Sequence, residues 1–238
     1  MEIYGNPTTF NVENVLRQNI TASDYYRNDC AALPNWKAVI DEIYEAVDHV
    51  EPWLGGNARG PSTAFCLLHR LCALRLSQDE VTATINHADS PYIRAIGFLY
   101  LRYVCDPRNV WNWFESYVED KEEFKPSKWA PAVTMGEFVR DLLLDQYYFE
   151  TIFPRIPKKV ADDIAAALEA RGLPTAAKGN GGTGGADRRG GDDGGNRRPA
   201  SVKASLSVAM GQKAPNRAGT KDYGVREALW EEKMSKGR

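Results

Sequence analysis

Between Ser62 and Leu76 the sequence reads STAFCLLHRLCALRL. Wound as a helix, this stretch is apolar almost all the way round. Such a helix has no face for water and must sit inside a fold. The run Ala64 to Leu76 is broken by His69, Arg70 and Arg75. It falls well short of the roughly 18 apolar residues a membrane helix needs. The rest of the chain must therefore supply the elements that cover it, and no membrane association is expected.

Those elements read as further helices. Asn35 is a cap for a helix through about Val47, with Trp36, Val39, Ile40, Ile43, Tyr44 and Val47 at three-to-four spacing. Pro52, Gly55, Gly56 and Gly60 punctuate a loop before Ser62. Ser77-Gln78-Asp79-Glu80 is a capping box for a short helix to about Asn86. Ser90-Pro91 opens the next helix, which carries Ile93, Ile96, Gly97, Tyr100, Tyr103 and Val104 on one stripe. Glycine lowers helix propensity by about 1 kcal/mol against alanine, so Gly97 predicts close packing against a neighbour. Asp106-Pro107 starts another helix through Val118, and residues 119–133 read as a loop. Thr134 and Glu137 form a second capping box before FVRDLLLDQYYFETIF, read as helix. A last helix runs from about Pro157 to Arg171 and ends at Gly172. No segment alternates with a period of two. The fold class expected is all-α: a single multi-helix globular domain over residues 1–172 with a disordered C-terminal tail over 173–238.

Charge marks the same boundary. The chain's net charge of -2 hides a split. Residues 173–238 hold 13 of the 30 Lys and Arg but 7 of the 32 Asp and Glu, a balance of +6. Residues 1–172 stand at −8. The stretch GNGGTGGADRRGGDDGGNRRP is too poor in apolar residues to offset chain entropy, so the basic Gly/Arg-rich tail is expected to be disordered. The opening MEIYGNPTTFNVENV lacks a basic start followed by an apolar run, so no signal peptide is expected. Cys30, Cys66, Cys72 and Cys105 are accordingly read as reduced, packed thiols.

A search for chemistry returns little. Gly55 to Ser62, GGNARGPS, has the glycine spacing of a phosphate-binding loop. That loop needs a lysine where Pro61 stands, and proline lacks the N–H the cradle uses. The plainer reading is a tight loop feeding the helix capped by Ser62. His49, His69 and His87 are too scattered for a zinc array, and His69 reads as a core histidine. No metal, cofactor or catalytic constellation is expected. Trp53, Trp111, Trp113 and Trp129 are read either as core anchors or as interface anchors. In the tail, Arg188-Arg189 and Arg197-Arg198 are candidate contacts to phosphate or RNA, weak and sequence-blind, with a solvated linker as the equal alternative.

Several long motifs carry a resemblance. DEIYEAVDHVEPW (Asp41 to Trp53), RGPSTAFCLL (Arg59 to Leu68), DSPYIRAIGFLYLRYVCDPRNVWNWFESYVEDKEEF (Asp89 to Phe124) and FVRDLLLDQYYFETIFPRIP (Phe138 to Pro157) occur in order. Together they resemble the pre-mRNA-splicing factor 38 family from about Thr9 to Leu173. The HVEPW turn and the FPRIP close are most similar to its B-type, plant-like branch, as is the tail segment from Arg197 to Arg217. The resemblance implies an all-helical, non-enzymatic spliceosome component in the nucleus. Such proteins serve as scaffolds when the precatalytic spliceosome is activated. The partners it implies are spliceosomal proteins, including a zinc-finger splicing protein and a long helical spliceosomal protein. Within the matched motifs, Glu51, Trp53, Asp89, Arg94, Trp111, Trp113 and Arg155 are the candidate partner-binding residues. Arg94 has a second reading, as an internal cation paired with a carboxylate such as Asp89.

Overall fold

A computed structural model describes residues 1–54 and 60–179. The core of the glycine loop, 55–59, and the tail arginines Arg188, Arg189, Arg197 and Arg198 lie outside the described residues. Among the described residues there are nine α-helices. They are α1 (Asn14–Ala22), α2 (Asp24–Asn28), α3 (Trp36–Ala46), α4 (Thr63–Leu74), α5 (Gln78–Ile85), α6 (Pro91–Val104), α7 (Val110–Phe114), α8 (Met135–Leu144) and α9 (Lys158–Ala170). The described residues are helical apart from loops, an isolated Trp53–Pro61 bridge and two two-residue antiparallel pairings, β1 (Glu123–Phe124) with β2 (Val133–Thr134), and β3 (Tyr147–Tyr148) with β4 (Thr151–Ile152).

The helix starts are set by local hydrogen bonds. Asn35, Ser62, Ser90 and Thr134 each accept from a backbone N–H in the first turn of α3, α4, α6 and α8. Ser77 and Glu80 close both arms of the capping box of α5. At α8 the Thr134 arm alone is formed. Beyond α9, Gly172 takes φ +70. The Leu173 N–H then reaches the Leu168 carbonyl at 3.0 Å, as a left-handed cap requires.

Two buried helices form the centre of the fold. α4 is buried along most of its length, but α6 is more so: every residue from Ile93 to Val104 is buried. It packs on α3, α4, α5, α7 and α8. Arg94 and Arg102, which lie off its apolar stripe, reach acceptors inside the protein. Gly97 fits the close packing expected of it. A Cβ there would stand 2.8 Å from Ile85 Cγ2 and 3.0 Å from Thr84 Cγ2, so α5 lies directly on the α6 backbone.

Two other expectations change. The helix through FVRDLLLDQYYFETIF stops at Leu144, where Asp145 turns extended and its side chain accepts from the Tyr147 N–H at 2.9 Å. The aromatic run then forms the β3–β4 hairpin, with Phe149 at φ +48. The pairing delivers Tyr148 and Phe153 into the core against Phe65 and Tyr103. The Tyr148 hydroxyl donates to the Val50 carbonyl at 2.8 Å. The helix after Pro107 is likewise shorter, ending at Phe114, and the presumed loop that follows carries β1.

Past α9 the described chain turns back over α8. The backbone N–H groups of Lys178 and Gly179 donate to the two oxygens of Asp141 at 2.9 and 3.0 Å. Burial raises the pKa of that carboxyl above its ordinary value.

Candidate functional site

Three places on the domain collect the candidate residues. The first is the HVEPW turn. The Val50 N–H donates to the Pro126 carbonyl at 2.9 Å, which ties the turn to the segment 126–129. Asp48 pairs with Lys128 Nζ at 2.9 Å, and Glu51 Oε1 accepts from the Lys128 N–H at 3.3 Å. Burial opposes the charged form of the Asp48 carboxyl. Hydrogen bonds from Lys128 and His49 outweigh it and leave the pKa lowered. Trp53 is half-buried against the core, Leu54 is exposed, and Trp129 stands 88% exposed. An indole held that far into water beside a braced turn contributes nothing to the core. The sequence offered Trp129 only as one of four tryptophans with two readings, because no local pattern distinguishes a buried indole from an exposed one.

The second is α6 and the loop facing it. Arg94, only 9% exposed, donates through Nε to the Ile85 carbonyl at 2.9 Å. Its Nη2 meets Asp120 at 2.5 Å and its Nη1 bonds Glu122. The carboxylates are placed by α8, whose first amides hold the loop. Met135 N–H donates to Glu122 O at 2.7 Å and Gly136 N–H to Asp120 O at 2.9 Å. Gly136 is needed there, because a Cβ would come within 2.7 Å of the Val118 carbonyl oxygen. Burial again works against the Asp120 carboxylate, but the Arg94 and Glu122 hydrogen bonds prevail and its pKa is lowered. Arg94 is thus the internal cation of the second reading. Its partners are Asp120 and Glu122, not Asp89, which is exposed 3.8 Å from His87.

The third is the far end of α6. Trp111 and Trp113 on α7 are half-buried against the core, and the Arg171 guanidinium lies 5.3 Å from the Trp111 ring. Arg155 is exposed on the segment after β4 and lines a cavity of about 70 Å³ with Arg102, Pro107 and Tyr4 among its walls. Arg102 is 5% exposed. It donates to the carbonyls of Leu142 and Pro154, both at 2.8 Å, and its guanidinium lies 4.8 Å from the Phe153 ring. Burial pulls its pKa down to about 10. Sequence reasoning did not single out Arg102, since an arginine inside LYLRYV has no local signature.

Polar groups elsewhere serve the fold. The Ser62 hydroxyl at the end of the glycine loop caps α4. His69 is buried with Nδ1 2.9 Å from the Tyr26 hydroxyl, and burial pulls its pKa to about 4. Burial also pushes the thiols of Cys30 up to about 12 and of Cys66 up to about 11, away from nucleophilic character. Among the described residues no three His, Cys, Asp or Glu side chains converge to hold a metal ion, and no helix is long and apolar enough to cross a membrane.

The fold and its sites define a helical domain with internal polar locks and an outward-facing tryptophan. The comparisons place it. Residues 1–165 match the model of the PRP38 family, and the chain belongs to that family. It is 52% identical over 210 residues to Pre-mRNA splicing factor SR-like 1 of Arabidopsis thaliana, covering 88% of this chain and 52% of that protein. It is 38% identical over 190 residues to human Pre-mRNA-splicing factor 38B, covering 72% of this chain and 35% of that protein. The chain therefore spans about half or less of the length of these relatives. Among solved structures, the Snu23-Prp38-MFAP1(217-258) complex of Chaetomium thermophilum contains a chain with the same fold. The TM-score is 0.61 at 22% identity, over 71% of this chain and 87% of that one.

Proposed function

We propose that this chain is a non-enzymatic component of the spliceosome, acting in the nucleus as a protein-binding scaffold in pre-mRNA splicing when the precatalytic particle is activated. Family membership supports the process. The observation that carries the scaffold reading is Trp129, 88% exposed on a segment braced by Asp48 and Glu51. Tryptophan is enriched among residues that dominate protein interfaces, and a braced one loses little entropy on binding. Glu51, Trp53 and Trp129 form the proposed primary surface. Asp89, Trp111, Trp113 and Arg155 are secondary candidates. Spliceosomal protein partners, as in the solved complex with Snu23 and MFAP1, fit such a surface, and the resemblance adds a zinc-finger splicing protein and a long helical spliceosomal protein as the kinds expected. A pull-down from nuclear extract with the full chain is expected to recover spliceosomal proteins and small nuclear RNAs, and Trp129→Ala is expected to lose a subset. Recovery of neither at low salt defeats the proposal.

The +6 balance of residues 173–238 supports a second reading, RNA contact through Arg188, Arg189, Arg197 and Arg198. Deleting residues 180–238 is then expected to lower RNA affinity and flatten its salt dependence. An unchanged salt slope removes this reading.

A further inference from the structure

We infer that the cavity lined by Arg102 and Arg155 is a binding site for a glutamate or aspartate side chain presented by a protein partner. Arg102 is a buried cation whose recorded polar partners are main-chain carbonyls. Among the described ion pairs none includes it. The nearest acidic residue in sequence, Asp106, is held instead by Arg108, at 3.0 and 3.1 Å through Nε. Buried charges are ordinarily paired, because leaving one unpaired costs several kcal/mol. Two carbonyls and the Phe153 ring solvate the charge without neutralising it, so the group that would complete the site is an anion.

The shape selects which anion. At about 70 Å³ the cavity is far below the roughly 300–1,000 Å³ of a cofactor site. It takes a carboxyl group and the carbon next to it. Pro107, Val110 and Ile156 give it apolar walls, which suit the methylenes of an acidic side chain better than a fully hydrated phosphate. Arg155 stands at the rim on the residue after Pro154, whose carbonyl Arg102 grips. One short segment therefore supplies both an acceptor that holds Arg102 and a second arginine lining the same cavity. The surrounding domain carries −8 over residues 1–172. That field opposes an approaching polyanion such as RNA, while a single carboxylate on a peptide meets the local positive spot.

The inference rests on the scaffold reading only in taking the partner to be a protein, and its test needs no spliceosome. The full chain, labelled with nitrogen-15, is titrated with the blocked peptide acetyl-Gly-Glu-Gly-amide and with its Gln counterpart. Saturable amide shifts are expected at Tyr4, Cys105 and Ile156 with the Glu peptide alone, with Kd on the order of 1–10 mM. Arg155→Glu, at an exposed position, is expected to weaken binding at least about tenfold while amides of α1 to α3 keep their positions. Arg102→Lys keeps the charge but loses the fork and is expected to weaken binding less. Equal shifts with both peptides, or an unchanged affinity in Arg155→Glu, overturn the assignment. So does displacement of the peptide by tighter-binding inorganic phosphate, which gives the site to phosphate. A negative titration beside a positive pull-down sinks this inference and leaves the scaffold reading standing.

Discussion

Arg94 and Arg102 lie roughly two turns apart on the same helix, both buried, yet they resolve their burial in opposite ways. Arg94 is neutralised by two carboxylates on a loop pinned by the start of α8. Arg102 has hydrogen bonds but no carboxylate among the described ion pairs, and it borders a cavity. The first arrangement is closed and holds the α6–α8 region together. The second keeps unspent positive charge at a surface opening. Burial alone therefore does not classify an arginine as structural; the identity of its acceptors does.

Arg94→Met tests the closed half of the contrast and is expected to have the largest effect. It strands Asp120 and Glu122 side by side and orphans the Ile85 carbonyl. Breaking a buried pair costs about 3–5 kcal/mol, and the low end applies because the carboxylates keep 21% and 35% exposure. Urea denaturation measures this, and adding Asp120→Asn and Glu122→Gln is expected to restore part of the loss. Between the two arginines, Gly97→Leu overpacks the α5 contact and is expected to cost about 1–3 kcal/mol. A melt unchanged within error would mean that α5 does not sit on the α6 backbone.

His69 offers a third solution to burying a basic group, shedding the proton. Its pKa of about 4 lies below the unfolded value. The unfolded chain therefore binds the proton first as pH falls. Stability is full above the unfolded value of about 6.5 and is lost progressively down to about 4, by about 2 kcal/mol at pH 5. Comparing wild type with His69→Gln by denaturation at pH 7 and pH 5 checks the sign; an identical pH dependence in both removes it. Arg102→Met is expected to be the mildest, about 1 kcal/mol. The orphaned carbonyls of Leu142 and Pro154 are offset by relief of a desolvated charge. A loss equal to that of Arg94→Met would erase the distinction between the two sites.

Much of the helical frame was legible. Asn35, Ser62, Ser77 and Ser90 cap the helices their positions suggested, because capping is settled within four residues of chain. Gly97 was legible because a costly residue in a regular helix needs a packing reason. The β3–β4 hairpin was not. YYFETIF carries no alternation, and its pairing is fixed by where Tyr148 and Phe153 find aromatic partners from α4 and α6. The complete burial of α6 was not legible for a related reason. Burying Arg94 and Arg102 requires the acceptors that Asp120, Glu122, Leu142 and Pro154 supply from distant segments.

The sequence by itself determined most helix starts, the all-α class, the family and the charge division near residue 172. These depend on hydrogen bonds within a turn, on composition, or on long shared motifs. Tertiary structure alone decided which tryptophan faces water, which carboxylates lock Arg94, and that Arg102 is left at a cavity without one. Those outcomes depend on which remote segments meet, and desolvation gives a buried charge its value only after that meeting has occurred.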